Sequence, residues 1–320
     1  LKNKISVLQY AVFAGLTSLA FSALYKGSAS CFTLIITAII GFLFLIPTLL
    51  TSSNNTELSL LLKALIFVFV TLLATYLVNS YSQFFTAMVN PDTPKWFIAL
   101  LLLSATFYPC IKGIEAVTRG ALISSVFVII ALVLTFALMP FSYFNSFRDI
   151  EYVFTIDNSV VVLMMFSPFI LSLLFRKNVN KSINQGVVIT FIISLLVFIM
   201  VVGFGKLLSI TEYDYMFYAL SEISCNIMPM GLSGVFIAFS LISVFFGILY
   251  FNESLKAVTN IDGKALPALF LTIVYVLSIL TMYVRQINAI VLNKYLLAVL
   301  FVIIAVALPI SLKAKEKSND

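Results

Sequence analysis

The residues able to do chemistry in this sequence are few. There is no histidine, which removes the commonest proton shuttle and metal ligand. Cys31, Cys110 and Cys225 stand alone with no CxxC pair, so they read as small apolar side chains rather than a disulfide framework or metal site. Serine and threonine are plentiful, but without histidine, and with few carboxylates inside apolar stretches, the usual hydrolytic arrangements cannot be assembled. A Ser–Lys pair at matched depth is not recognisable, and nothing resembles a phosphate loop. The sequence thus points to a binding protein, not an enzyme, with no cofactor and no metal expected.

The groups that could bind are interruptions and polar residues within apolar runs. Ala14-Gly15-Leu16-Thr17-Ser18 and Phe166-Ser167-Pro168 each fall near the middle of such a run. Proline lacks the donor N–H and clashes with the preceding turn, and glycine costs about 1 kcal/mol against alanine in a helix interior. Broken helices at related positions could offer free peptide groups and a half-helix dipole to a carboxylate; ordinary kinks or close helix packing are the other reading. Thr71, Thr75, Asn79 and Gln83 follow an i, i+4 series, so they form one polar stripe that either lines a cavity or bonds neighbouring helices. Thr75 and adjacent Tyr76 lie near mid-depth, and Ser240 and Ser243, one turn apart, could hold a cation or bond back to their own helix. Glu115 and Arg119, spaced i, i+4, form either a gating ion pair or a surface pair of little consequence.

These residues need elements that cross a membrane. The chain is 62% hydrophobic and 10% charged, with a mean hydropathy of +1.13, whereas soluble domains are about 45–50% apolar and about 25% charged. The apolar runs are continuous, not alternating, which excludes a β-barrel and leaves helices to satisfy every peptide group in lipid. Punctuated by turn residues and charges, the sequence predicts an all-α chain of ten spans near 5–25, 31–50, 58–85, 94–111, 119–139, 159–175, 183–208, 230–251, 265–285 and 290–312. Residues 1–320 would form a single transmembrane domain, with a short tail at 313–320. Lys2 and Lys4 before the first run imitate a secretory signal, but that run exceeds the roughly 7–15 residues of a signal core and reads as a retained helix.

Ten spans divide into five plus five, over about 5–139 and 159–312. An odd number per half forces an inverted repeat, with spans 1 and 6 equivalent and both broken. A cytoplasmic N-terminus puts thirteen of the nineteen Lys and Arg residues inside, so both termini are predicted cytoplasmic. This placement explains the net charge of +6 without a nucleic-acid partner. The 211–228 segment, with Glu222 on its polar side, reads as an amphipathic helix on the outer surface and a lid over the entrance. Lys63 and Lys206 lie about a turn inside their spans and would snorkel to the surface.

One stretch carries a resemblance. Thr93, Pro94 and Trp96 at the start of span 4, then Tyr108, Gly113, Glu115 and Arg119, resemble the pattern of the GerB-type spore germination permease family, and the opening Lys4-Ile5-Ser6-Val7-Leu8-Gln9 is similar to that family's start. The chain departs from it late in span 3, where Asn79, Ser80 and Gln83 stand where an Arg is common. The resemblance implies a fold of the amino acid, polyamine and organocation transporter superfamily. It also implies a role as the polytopic subunit of a germinant receptor in the inner membrane of a bacterial spore, beside a lipoprotein subunit and a larger membrane subunit. The ligand would be a small amino acid or similar nutrient held between spans 1, 3, 6 and 8 by Ala14, Gly15, Thr17, Ser18, Thr75, Tyr76, Phe166, Ser167 and Pro168. An autonomous amino-acid transporter coupled to Na+ or H+, with Ser240 and Ser243 at the ion, is the rival reading.

Overall fold

Among the described residues, the long apolar runs fold as helices. The computed structural model describes residues 5–24, 31–50, 58–137, 163–179, 183–207, 215, 232–259 and 264–319. Within them lie α1 (Val7–Ala23), α2 (Cys31–Leu50), α3 (Leu60–Met88), α4 (Lys95–Lys112), α5 (Ile114–Ala137) and the short α6 (Ser167–Leu171), which continues as a 3-10 helix (Ser172–Asn178). Then follow α7 (Ile183–Leu207), α8 (Leu232–Thr259), α9 (Ala265–Tyr283), the short α10 (Arg285–Val291) and α11 (Lys294–Asn319). No strand occurs among the described residues beyond one parallel bridge between Ile5 and Val179.

Among the described residues, six helices are long and apolar enough to cross a membrane: Leu60–Met88, Lys95–Lys112, Ile114–Leu134, Ser233–Thr259, Ala265–Tyr283 and Arg285–Leu312, the last joining α10 to α11. Val7–Ala23, Ile36–Leu49 and Ile183–Leu196 are shorter apolar helices. The expected span 159–175 is the interrupted α6 with its 3-10 continuation; its residues 159–162, like the segment 139–158, lie outside the described residues. So does most of the expected lid. Of 211–228 only Tyr215 is described, buried with its ring edge against Phe84 at 5.1 Å. The side chain of Lys206 is likewise outside them.

Local chemistry sets the helix ends. Ser6 caps α1 reciprocally: the Gln9 N–H donates to Ser6 Oγ at 3.1 Å and the Ser6 N–H donates to Gln9 Oε1 at 2.9 Å. This capping box satisfies two donors that the first turn would leave open. Before α4, Asn90 turns the chain by accepting from the Asp92 N–H through Oδ1 and from the Thr93 N–H through its carbonyl, and Pro94 then caps the helix. Between α4 and α5 a single residue makes the corner. Gly113 has φ 89° and ψ 171°, a region open essentially to glycine alone. The loop expected up to residue 119 is therefore absent, and α5 begins five residues earlier, because one glycine suffices for the reversal.

The first helix is the axis of the bundle. Thirteen of its seventeen residues are buried, and it packs on α8, α7 and α5. The seam with α7 is made by small residues. A Cβ on Gly15 would sit 2.6 Å from Thr190 Cγ2, and one on Gly186 would sit 2.6 Å from Val7 Cγ1 and 3.4 Å from the Ala11 Cβ. Such residues let helix backbones approach closely where lipid supplies no hydrophobic drive. The expectation of a broken span 1 is overturned here: α1 runs without interruption through Ala14–Ser18. Gly15 serves contact with α7, and the approximately 1 kcal/mol it costs in helix propensity is offset by that packing.

Candidate functional site

The interruption in span 6 is real and specific. Residues 163–165 are helical, Phe166 turns, and α6 restarts at Ser167 with Pro168 in its first turn. Phe166 is buried. A Cβ on Gly41 of α2 would overlap its ring, and the ring packs on Phe191 of α7 at 4.8 Å. The carbonyls loosened by the break are taken by side chains: Ser167 Oγ donates to the Met164 carbonyl at 2.6 Å, and the Tyr250 hydroxyl of α8 donates to the Pro168 carbonyl. Tyr250 is also bonded to the Tyr10 hydroxyl of α1 at 2.7 Å. The two phenols and Phe175 pack together, with ring centroids 5.5 Å (Tyr10) and 5.2 Å (Tyr250) from Phe175.

The other expected residues divide into engaged and open. Thr17 donates to the Phe13 carbonyl at 3.0 Å, and Thr75 to the Thr71 carbonyl at 2.9 Å, each closing on its own helix. Tyr76 stacks on Phe21 with centroids 6.1 Å apart. Ser240 donates to the Ile237 carbonyl at 2.9 Å, whereas Ser243 Oγ and Ser18 Oγ are buried with no hydrogen-bond partner among the described residues. Ala14 is wholly buried in the helix packing. At Gly247 α8 packs tightly on α3 and in ordinary contact with α1: a Cβ there would meet Leu77 Cδ1 of α3 at 2.8 Å and Thr17 Cγ2 of α1 at 3.7 Å. An unpartnered buried hydroxyl costs about 1–3 kcal/mol, so Ser18 and Ser243 are positions on α1 and α8 where a polar guest would gain.

The polar stripe on α3 acts partly as glue. Thr71 bonds back to the Phe67 carbonyl at 2.7 Å, and Asn79 Nδ2 crosses to Thr281 Oγ1 of α9. Asn79 Oδ1 and Ser278 Oγ, buried in the same helix pair, have no partner among the described residues.

The corner between α4 and α5 and the end of α8 that meets it hold two ion pairs of unlike character. Arg119 and Glu115 are paired as their spacing implied, but with 65% and 29% of their side-chain surfaces exposed, and such a surface pair contributes about 0–1 kcal/mol. The second pair escaped the sequence reading. Lys256 and Glu253 of α8 lie 2.6 Å apart with 13% and 5% exposed, Asn252 Nδ2 donates to the same carboxylate at 3.2 Å, and Lys256 donates to the Cys110 carbonyl of α4. The i, i+3 spacing was a usable signal, lost because span 8 was expected to stop near 251, which left Lys256 counted as a loop charge. Tyr10 and Tyr250 were missed because a tyrosine in an apolar run looks like any aromatic core residue. No group of His, Cys, Asp and Glu able to hold a metal occurs among the described residues.

Comparison with known proteins adds one positive finding. Residues 47–220 match the model of a permease family described as spore germination protein, which reaches from the end of α2 past α7 and includes the α4–α5 corner. No curated protein matches the chain.

Proposed function

Because this match spans more than half of its 320 residues, the chain belongs to the spore germination permease family and is an integral membrane protein, and on that premise we propose that it is the permease-like subunit of a germinant receptor that binds a small amino acid or related nutrient. The observation that carries the reading is the interrupted α6, buried in the bundle against α1, with Pro168 bonded to α8 and the open hydroxyls of Ser18 on α1 and Ser243 on α8. A zwitterion entering there would find hydroxyl partners and a carbonyl-rich break, and its binding would favour an occluded over an open arrangement by its differential affinity.

The proposal includes ten spans arranged as five plus five, with both termini cytoplasmic in a bacterial inner membrane, that of a spore included. Bonds between helix ends that this order sets on one face support it: the Ile5 N–H donates to the Asn178 carbonyl at 2.9 Å, and Lys256 reaches the Cys110 carbonyl. A lipoprotein subunit and a larger membrane subunit would be its partners. The second reading, an autonomous transporter coupled to Na+ or H+, is favoured by Ser243, whose free hydroxyl suits a cation.

Purified protein in proteoliposomes separates the two. With radiolabelled small amino acids, a receptor subunit should show saturable binding without concentrative uptake, whether or not a sodium or proton gradient is applied. Concentrative uptake under either gradient would assign the chain to the transporters, and neither binding nor uptake across the common amino acids would remove this ligand class.

A further inference from the structure

The break in span 6 has an unusual repair. In an unbroken α-helix the Pro168 carbonyl would accept from the N–H of Ser172 four residues on. Here the chain changes from α to 3-10 at Ser172, whose N–H turns to the carbonyls of Phe169 and Ile170. The Tyr250 hydroxyl takes the Pro168 carbonyl in its place.

A count of hydrogens then orders the network. A carbonyl can only accept, so the single hydrogen of Tyr250 goes to Pro168. The 2.7 Å bond between the two phenols must therefore be donated by Tyr10. Chained donation of this kind polarises each successive bond. Both phenols are fully buried, so water does not compete for the carbonyl.

The lower end of the segment is fastened separately. Arg176 donates to the Thr48 carbonyl at 2.8 Å and to Asn184 Oδ1 at 3.0 Å, Asn184 donates to the Leu49 carbonyl at 2.9 Å, and the Asn178 carbonyl accepts from Ile5. With that end pinned to α2, α7 and the N-terminal segment, the tyrosine pair governs the upper end.

We infer that Tyr250, backed by Tyr10, is the positioning residue that holds span 6 in its α-to-3-10 form and thereby ties the geometry of the break to the spacing of α1 and α8. The role in ligand binding rests on the function proposed above; the positioning itself does not, and it is measured without ligand.

The test is hydrogen–deuterium exchange on the full chain in nanodiscs, comparing wild type with Y250F, Y10F and the control Y108F at an exposed site. A buried neutral hydrogen bond contributes about 0.5–1.5 kcal/mol, so Y250F should speed amide exchange over 166–178 by about three- to tenfold, with Y10F giving a smaller rise in the same peptide. Exchange in α3 and α9 should stay as in wild type. In protein carrying 13C at its proline carbonyls, the infrared difference between wild type and Y250F should contain one upshifted component, which general loosening would not produce. Unchanged exchange over 166–178 in Y250F, or a rise spread evenly over all helices with no carbonyl shift, overturns the assignment. Should Y250F not yield folded protein, Y10F decides by the same two readouts. Absence of amino-acid binding by wild type would count against the proposed function and leave this result intact.

Discussion

The first and sixth helical segments each carry a helix-weakening residue at mid-run, and they use it in opposite ways. In α1, Gly15 leaves the backbone intact and removes side-chain bulk where Thr190 of α7 presses in. In span 6, Pro168 opens a real interruption whose carbonyl is served from another helix. The difference follows from the residue types. Glycine lowers helix propensity by about 1 kcal/mol, which packing offsets, whereas proline deletes a donor and costs about 3 kcal/mol or more within a helix. Two helix-weakening residues at mid-run thus need not produce the same backbone conformation.

Three substitutions would break or sharpen this contrast. The largest effect should come from Gly15→Leu, which drives a side chain into a seam where even a Cβ would sit 2.6 Å from Thr190 Cγ2. Overpacking of this kind costs about 1–3 kcal/mol or more, read as a lower thermal midpoint in detergent together with a wider separation of α1 from α7. A neutral outcome would mean that the helices part freely at Gly15. Next, Pro168→Ala restores a donor and should slow amide exchange over 166–178 while shifting overall stability by only about 1 kcal/mol, since the proline's constraint on the unfolded chain is lost as well. Unaltered exchange would show that the break belongs to its surroundings rather than to the ring. The smallest effect on stability belongs to Ser18→Ala, which deletes an unpartnered hydroxyl and should be neutral or stabilising by up to about 1 kcal/mol. Equilibrium binding of labelled amino acid should nevertheless weaken if that hydroxyl meets the ligand; full affinity would take Ser18 out of the site.

What could be read in advance was what depends on composition and on strong breakers. Helices for residues 60–88, 95–112 and 265–283 start and end within about four residues of expectation, because apolar length and turn residues decide them. Pro168 declared itself because a proline has no backbone N–H to give. Gly15 misled, since the same residue permits either a break or a close approach, and only the position of Thr190 decides between them. The Glu253–Lys256 pair and the Tyr10–Tyr250 pair were hidden for a related reason. The phenols lie 240 positions apart in the chain, and nothing in either local sequence announces the other. Glu115 and Arg119 were legible because a single turn of helix brings them together, yet their exposure makes them the lesser of the two ion pairs.

The Lys256 ammonium fastens α8 to the last turn of α4 at the carbonyl of Cys110, whose thiol is wholly enclosed. That sulfur is therefore a native timekeeper. A thiol-alkylating reagent can reach it only in the moments when the two helices part, so its modification rate would clock how often this corner breathes, with no probe needing to be introduced.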